Sequence, residues 1–156
     1  MSKKQKKAFK PFSEKKQKQY EREARLQYGP ELVNESARRW ERYSKAEQEA
    51  IQKEGGKNYQ ALAKALEKGL AAGDAEVQAL IRRWHDHIHY FYTPTNEILR
   101  GLGTLYTSDP EFHAFFDQFH PALAEYLEGA ITHYVDALED AELSRLLAED
   151  DRTAQS

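Results

Sequence analysis

One stretch of the sequence constrains the fold more than any other. Val77, Leu80, Ile81, Trp84, Ile88, Phe91 and Tyr92 fall on a single stripe at the 3.6-residue spacing of an amphipathic helix. A strand would need alternation instead. No sustained period of two occurs in the chain, and no Asn-Gly or Asp-Gly turn joins two apolar runs.

Helical signals recur on both sides of that stripe. Ser44-Lys45-Ala46-Glu47 reads as a capping box, in which the Ser hydroxyl and the Glu carboxylate satisfy each other's backbone amides, so a helix starts there. Gly55-Gly56 interrupts or loosens the pattern before Tyr59, Leu62, Ala63, Leu66 and Leu70 resume it. Gly73 is placed to end that helix and Asp74 to cap the next. Thr93-Pro94 supplies a cap and a first-turn proline for the segment holding Ile98, Leu99, Leu102, Leu105 and Tyr106. Asp109-Pro110 repeats that signal ahead of Phe112, Phe115, Phe116 and Phe119. His120-Pro121 then opens a last long helix with Leu123, Leu127, Ile131, Tyr134, Val135 and Leu138 on its inner face and Leu143, Leu146 and Leu147 on a weaker extension. Gly101 and Gly103 flank Leu102 inside a helical pattern, at a cost of about 1 kcal/mol each relative to Ala, and close approach of backbone or ligand is the usual reason.

These segments predict an all-α domain of about six to eight helices. A length of 156 residues suits one domain, and 40% hydrophobic with 31% charged residues suits a soluble helical one. No internal repeat is visible. Cysteine is absent, which excludes a disulfide framework, a thiolate zinc site and a catalytic thiol. No apolar run approaches the roughly 20 residues needed to cross a bilayer, and the first lysines are followed by no apolar signal segment, so a cytoplasmic protein with no membrane partner is expected.

Charge is unevenly spread. Residues 1–20 hold eight Lys against Glu14, a net of +7, which leaves fifteen Lys and Arg against twenty-five Asp and Glu, or −10, on the remainder. An acidic body lacks the clustered cations that neutralise phosphates, so nucleic acid is not an expected partner. Residues 1–19 read as a basic, disordered tail, and residues 150–156 as a polar, frayed one.

Two constellations could carry function. His85, His87 and His89 alternate, but on a helix only His85 and His89 lie one turn apart, and neither a Cys nor a carboxylate stands at ligand spacing; no metal or other cofactor is expected. The second is aromatic density: nine of the eighteen Phe, Trp and Tyr residues fall between 84 and 119. They can form a core or line a cleft for a large apolar ligand. No nucleophile elbow, phosphate loop, HExxH or paired-carboxylate motif stands out, and Asp136, Glu139 and Asp140 sit on the polar side of the last helix; no enzymatic activity is expected.

Several short blocks, in order, carry a family resemblance: Tyr20-Glu21-Arg22-Glu23-Ala24-Arg25, Asn34-Glu35-Ser36-Ala37-Arg38-Arg39-Trp40, Tyr43-Ser44-Lys45, His87-Ile88-His89-Tyr90-Phe91-Tyr92, Leu102-Gly103-Thr104-Leu105-Tyr106, Asp109-Pro110-Glu111-Phe112 and Leu123-Ala124-Glu125-Tyr126-Leu127 with Ala130-Ile131. Over residues 20 to 135 the chain resembles the TipAS antibiotic-recognition domain. The resemblance implies an all-helical, globin-like domain over residues 20–149, with a cleft that captures bulky aromatic or peptide antibiotics such as thiopeptides or albicidin. In that family the domain commonly follows a MerR-type DNA-binding domain, for which this chain has no room, so a free-standing form that sequesters drug is expected. Pro94 stands about where the family's capturing Cys would be, which excludes covalent attachment.

The expected cleft residues are Trp40, Trp84, His87, Phe91, Tyr92, Tyr106, Phe112 and Phe116, with residues 20–56 as a mobile lid and a monomer as the expected state. The alternatives are a regulatory protein-interaction module related to MerR-type regulators, and a haem or metal protein using His85, His87 and His89.

Overall fold

A computed structural model describes residues 29–155. The basic tail over 1–19, Tyr20, Tyr28 and the first part of the expected lid lie outside the described residues. Six helices fill the rest: α1 (Pro30–Arg42), α2 (Lys45–Glu67), α3 (Ala75–Ile88), α4 (Asn96–Ser108), α5 (Pro110–Asp117) and α6 (Leu123–Gln155). Among the described residues there is no strand, and no helix is long and apolar enough to cross a membrane.

Most helix starts follow the predicted chemistry. Ser44 and Glu47 close the full capping box on α2, Asp74 accepts from the Glu76 amide at 2.8 Å, and Asp109 precedes Pro110 at the first turn of α5. Several boundaries differ, among them the start of α6, which is Leu123 and not His120-Pro121. The residue that ends α2 is Gly69, whose φ of +78° is open to glycine without strain, and not Gly73. Gly73 instead lies against His133, where a Cβ would meet Nε2 at 2.7 Å. The cap of α4 is Thr95, which accepts from the Ile98 amide at 3.1 Å, with Pro94 just outside the helix instead of in its first turn. α3 stops at Ile88, and Phe91 and Tyr92 fold back through turns onto the Ile88 carbonyl at 2.9 and 3.1 Å.

The core lies where α4 and α6 pack. Arg100 pairs with Asp136 and Glu139, and Thr107 bonds Glu128, so the two helices run antiparallel. Gly103 serves that contact: a Cβ would stand 3.6 Å from the Glu128 Cα and 3.5 Å from Ile131 Cγ2, the close approach its position in the sequence predicts. Leu99, Leu123, Leu127, Ile131 and Val135 are fully buried there with Leu62, Val77 and Ile81 from α2 and α3. Each such side chain contributes about 1.5–3 kcal/mol on leaving water. Leu143, Leu146 and Leu147 are about half exposed, so the last turns of α6 leave the core behind. The helix nevertheless continues to Gln155, through the residues expected as a frayed tail. No Gly or Pro follows Gly129 to stop it, and Arg145 with Glu142 and Thr153 with the Glu149 carbonyl support its exposed turns.

Candidate functional site

Gly55 and Gly56 do not interrupt α2. Both are buried inside a continuous helix, and Gly55 faces α3. Without side chains there, the His87 ring from α3 comes down onto α2, where a Cβ on Gly55 would meet Cε1 at 3.1 Å and Nε2 at 3.2 Å. Nε2 of His87 lies 2.7 Å from the Ile51 carbonyl oxygen. A carbonyl only accepts, so this nitrogen carries the proton and the ring is fixed as the Nε2–H form or its cation.

Two adjoining lobes open around this contact. The smaller, about 200 Å3, is lined by Ile51, Gln52, Gly55, Gly56 and Tyr59 of α2, His87 of α3, Phe91 of the turn after it, Tyr106 of α4, and Phe112, Phe115 and Phe116 of α5. The larger, about 430 Å3, lies between α2 and α3 and is lined by Glu54, Gly55, Lys57, Asn58, Tyr59, Ala61, Arg83, Trp84, Asp86 and His87. Gly55, Tyr59 and His87 belong to both. One lobe is aromatic; the other has an apolar floor and a rim with two carboxylates and two cations.

The aromatic wall is tightly built. Tyr106 and Phe116 have ring centroids 4.6 Å apart, Tyr59 and Phe116 5.0 Å, and Tyr106 and Phe112 5.5 Å, within the range for favourable tilted and edge-to-face contact. Behind it the Trp84 indole N–H donates to the Tyr106 hydroxyl at 3.2 Å. Burial pushes the Tyr59 phenol up to about 12, against the opposing influence of hydrogen bonds from Tyr106 and Trp84, so it stays a hydrogen-bond donor at any physiological pH.

Of the eight sequence-predicted residues, the structure brings six together. His87, Phe91, Tyr106, Phe112 and Phe116 line the smaller lobe and Trp84 the larger. Trp84, Tyr106 and Phe116 are also core residues, exposed by 6% or less, so core and cleft are one aromatic cluster. Trp40 lines neither lobe but lies against Phe91, centroids 5.4 Å apart and planes 30° apart. Tyr92 packs half-buried on the core and lines neither lobe. Gly55, Gly56, Tyr59, Asn58 and Phe115 went unpredicted. Two signals were available: the glycine pair on an otherwise helical segment, and the aromatic density over 84–119, which includes Phe115.

The flanking elements matter too. Arg39 of α1 donates to the His89 carbonyl at 2.9 Å, and Tyr43 donates to the Tyr90 carbonyl at 2.7 Å. Together with Trp40 on Phe91, these hold α1 to the turn that forms the cleft's edge. His85 and His89 lie away from both lobes, rings 5.1 Å apart, with His85 Nδ1 and the Tyr134 hydroxyl sharing a 2.8 Å hydrogen bond. Burial, with the charge of His89, holds the His85 imidazole below the usual histidine range. Among the described residues no three His, Cys, Asp or Glu side chains are grouped to hold a metal ion.

Comparison with known proteins places this arrangement. The sequence profile of the TipAS antibiotic-recognition domain matches residues 20–134. The HTH-type transcriptional activator mta of Bacillus subtilis is 35% identical over 125 residues, which are 80% of this chain and 48% of mta. The HTH-type transcriptional regulator SkgA of Caulobacter vibrioides is 39% identical over 72 residues, 45% of this chain and 28% of SkgA. The chain therefore spans half or less of the length of these relatives. Among solved structures, Streptomyces lividans TipAS in complex with nosiheptide superposes with a TM-score of 0.71 at 22% identity, covering 88% of this chain and 95% of that one, which shows the shared all-α, globin-like fold.

Proposed function

The chain belongs to the TipAS antibiotic-recognition domain family, and from that premise we propose that its aromatic cleft binds bulky aromatic or peptide antibiotics and sequesters them without altering them. The observation that carries the reading is one lobe lined by four rings from α4 and α5, those of Tyr106, Phe112, Phe115 and Phe116, together with Gly55, Gly56 and Tyr59 of α2. A planar ligand entering there buries a few hundred Å2 of apolar surface, at roughly 25 cal/mol per Å2, before the costs of ordering. The Tyr59 phenol and His87 imidazole supply orienting polar atoms. No thiol is present to capture a ligand covalently, so binding is reversible.

α1 acts in this reading as the described part of a lid. It is held to the turn at 89–91 by Arg39, Trp40 and Tyr43, and a ligand seated beside Phe91 adds to those contacts. Thermal melting with nosiheptide and with albicidin-like oligo-aromatic amides tests binding, and recovery of unmodified drug after release tests that nothing is transformed. A raised melting temperature with intact drug is expected; a drug that is bound and returned altered contradicts sequestration.

A second reading, a regulatory module in which the ligand-bound state is read by a partner, is favoured by the two relatives being transcriptional regulators. It predicts a ligand-dependent protein contact, absent under pure sequestration.

A further inference from the structure

Three residues, Gly55 and Tyr59 of α2 and His87 of α3, stand in the wall of both lobes, and His87 is the one whose ring reaches across from α3 onto α2. Its ring is held from three directions: Nε2 bonds the Ile51 carbonyl, Gly55 lies in close contact, and Tyr90 and Phe91 present their rings edge-on at 5.4 and 5.8 Å. The Ile51 carbonyl also lies within α2, where the helical ladder supplies it a backbone donor, so the histidine can leave without stranding a buried acceptor. The ring is thus well placed at rest and cheap to displace.

The lobes differ in chemistry along the line that His87 divides. Phe112, Phe115, Phe116 and Tyr106 make the smaller one aromatic, whereas Lys57, Arg83, Glu54 and Asp86 rim the larger. Resting on the antibiotic-binding reading above, we propose that His87 is the specificity-determining partition of the cleft, and that its swing joins the lobes into one channel for an elongated ligand with an aromatic end and a polar, charged end. A compact aromatic molecule fills the smaller lobe alone and leaves the ring where it is. A rod-shaped one must move it.

Two probes separate these cases: 2-naphthol, which has only the aromatic end, and 4-(2-naphthyl)benzoate, whose carboxylate extends toward Lys57 and Arg83. Isothermal titration of the full chain compares wild type, His87→Ala, which removes the partition, and His87→Phe, which keeps its bulk and loses the Ile51 bond. The expected result is a gain of about tenfold or more in affinity for the long probe with His87→Ala, and a change of less than about threefold for 2-naphthol. His87→Phe should bind the long probe no better than wild type; a tenfold gain with this variant too would show that loss of the Ile51 bond, and not of the partition, opens the cleft. Equal effects of His87→Ala on both probes, or no binding of the long probe by that variant, overturns the proposal. Failure of every antibiotic to bind, with the probe discrimination intact, counts against the antibiotic reading and leaves the partition standing.

Discussion

The indole N–H of Trp84, on α3, donates to the phenolic oxygen of Tyr106, on α4, at 3.2 Å. Both side chains are buried, and the bond joins the floor of the larger lobe to the wall of the smaller. Tyr106→Phe removes this acceptor and leaves the buried indole with the Tyr59 hydroxyl alone, at an expected cost of about 0.5–1.5 kcal/mol in urea denaturation. Trp84→Phe removes donor and bulk together and should cost more, about 3 kcal/mol, through the cavity it leaves. A Tyr106→Phe variant as stable as wild type would show that the bond contributes nothing.

Two glycines on helices respond in opposite ways to a methyl group. At Gly129, on the exposed side of α6, a Cβ would make only ordinary contact with Ala72 at 3.8 Å, so Gly129→Ala should stabilise by roughly 0.5–1 kcal/mol through helix propensity alone. At Gly55 the same methyl presses on the His87 ring. Gly55→Ala should therefore lose that gain and leave stability unchanged or lower, read by melting.

Acid and base should act on the junction of α5 and α6. The hydrogen bond to Glu125, with Asp117 nearby, holds the exposed His113 imidazole above the usual histidine range, and the same bond holds the Glu125 carboxyl below the usual carboxylate range. A raised histidine stabilises below its unfolded value of 6.5 and loses that contribution as pH rises through its folded value; a lowered carboxylate stabilises above 4.5 and loses it as pH falls. The pair is strongest between those limits. The difference in melting temperature between wild type and His113→Gln should peak near pH 5–6, shrink toward pH 8 and shrink again below pH 4. A difference independent of pH would remove the ion pair from the account.

Much of the fold was legible because its signals are local. The stripe of Val77, Ile81, Trp84 and Ile88 is buried, and the Ser44 box and the Asp109-Pro110 start are formed as the sequence specifies. What was not legible depended on tertiary context. Gly55-Gly56 looks like a break because glycine is a poor helix former; here the helix runs on through both, and the His87 ring packs where a Gly55 side chain would stand. The stripe also misplaced Tyr92, since the helix ends at Ile88 and Tyr92, in the turns beyond it, packs on the core and lines neither lobe. Trp40 was drawn to the site by type alone. Its partner, Phe91, is fifty-one residues away, and no periodicity reports that pairing.

The lid makes its own prediction. α1 touches the cleft's edge through three side chains, so Trp40→Ala should raise amide exchange across 30–42 while leaving α4 and α6 protected. Ligand should slow exchange of the same residues in wild type. Equal protection of 30–42 with and without ligand would falsify a closing lid.

The central claim is that the aromatic cleft holds a bulky antibiotic, and tryptophan emission tests it most directly. Trp84 lines the larger lobe and Trp40 lies on Phe91 at the edge of the smaller, so both report on occupancy. Titration with nosiheptide and albicidin-like amides should give saturable quenching, lost with Phe112→Ala. A hundredfold excess over Kd should add about 2.7 kcal/mol, a rise of roughly 5–10 °C in Tm. Emission and melting unchanged across the whole panel would contradict the claim.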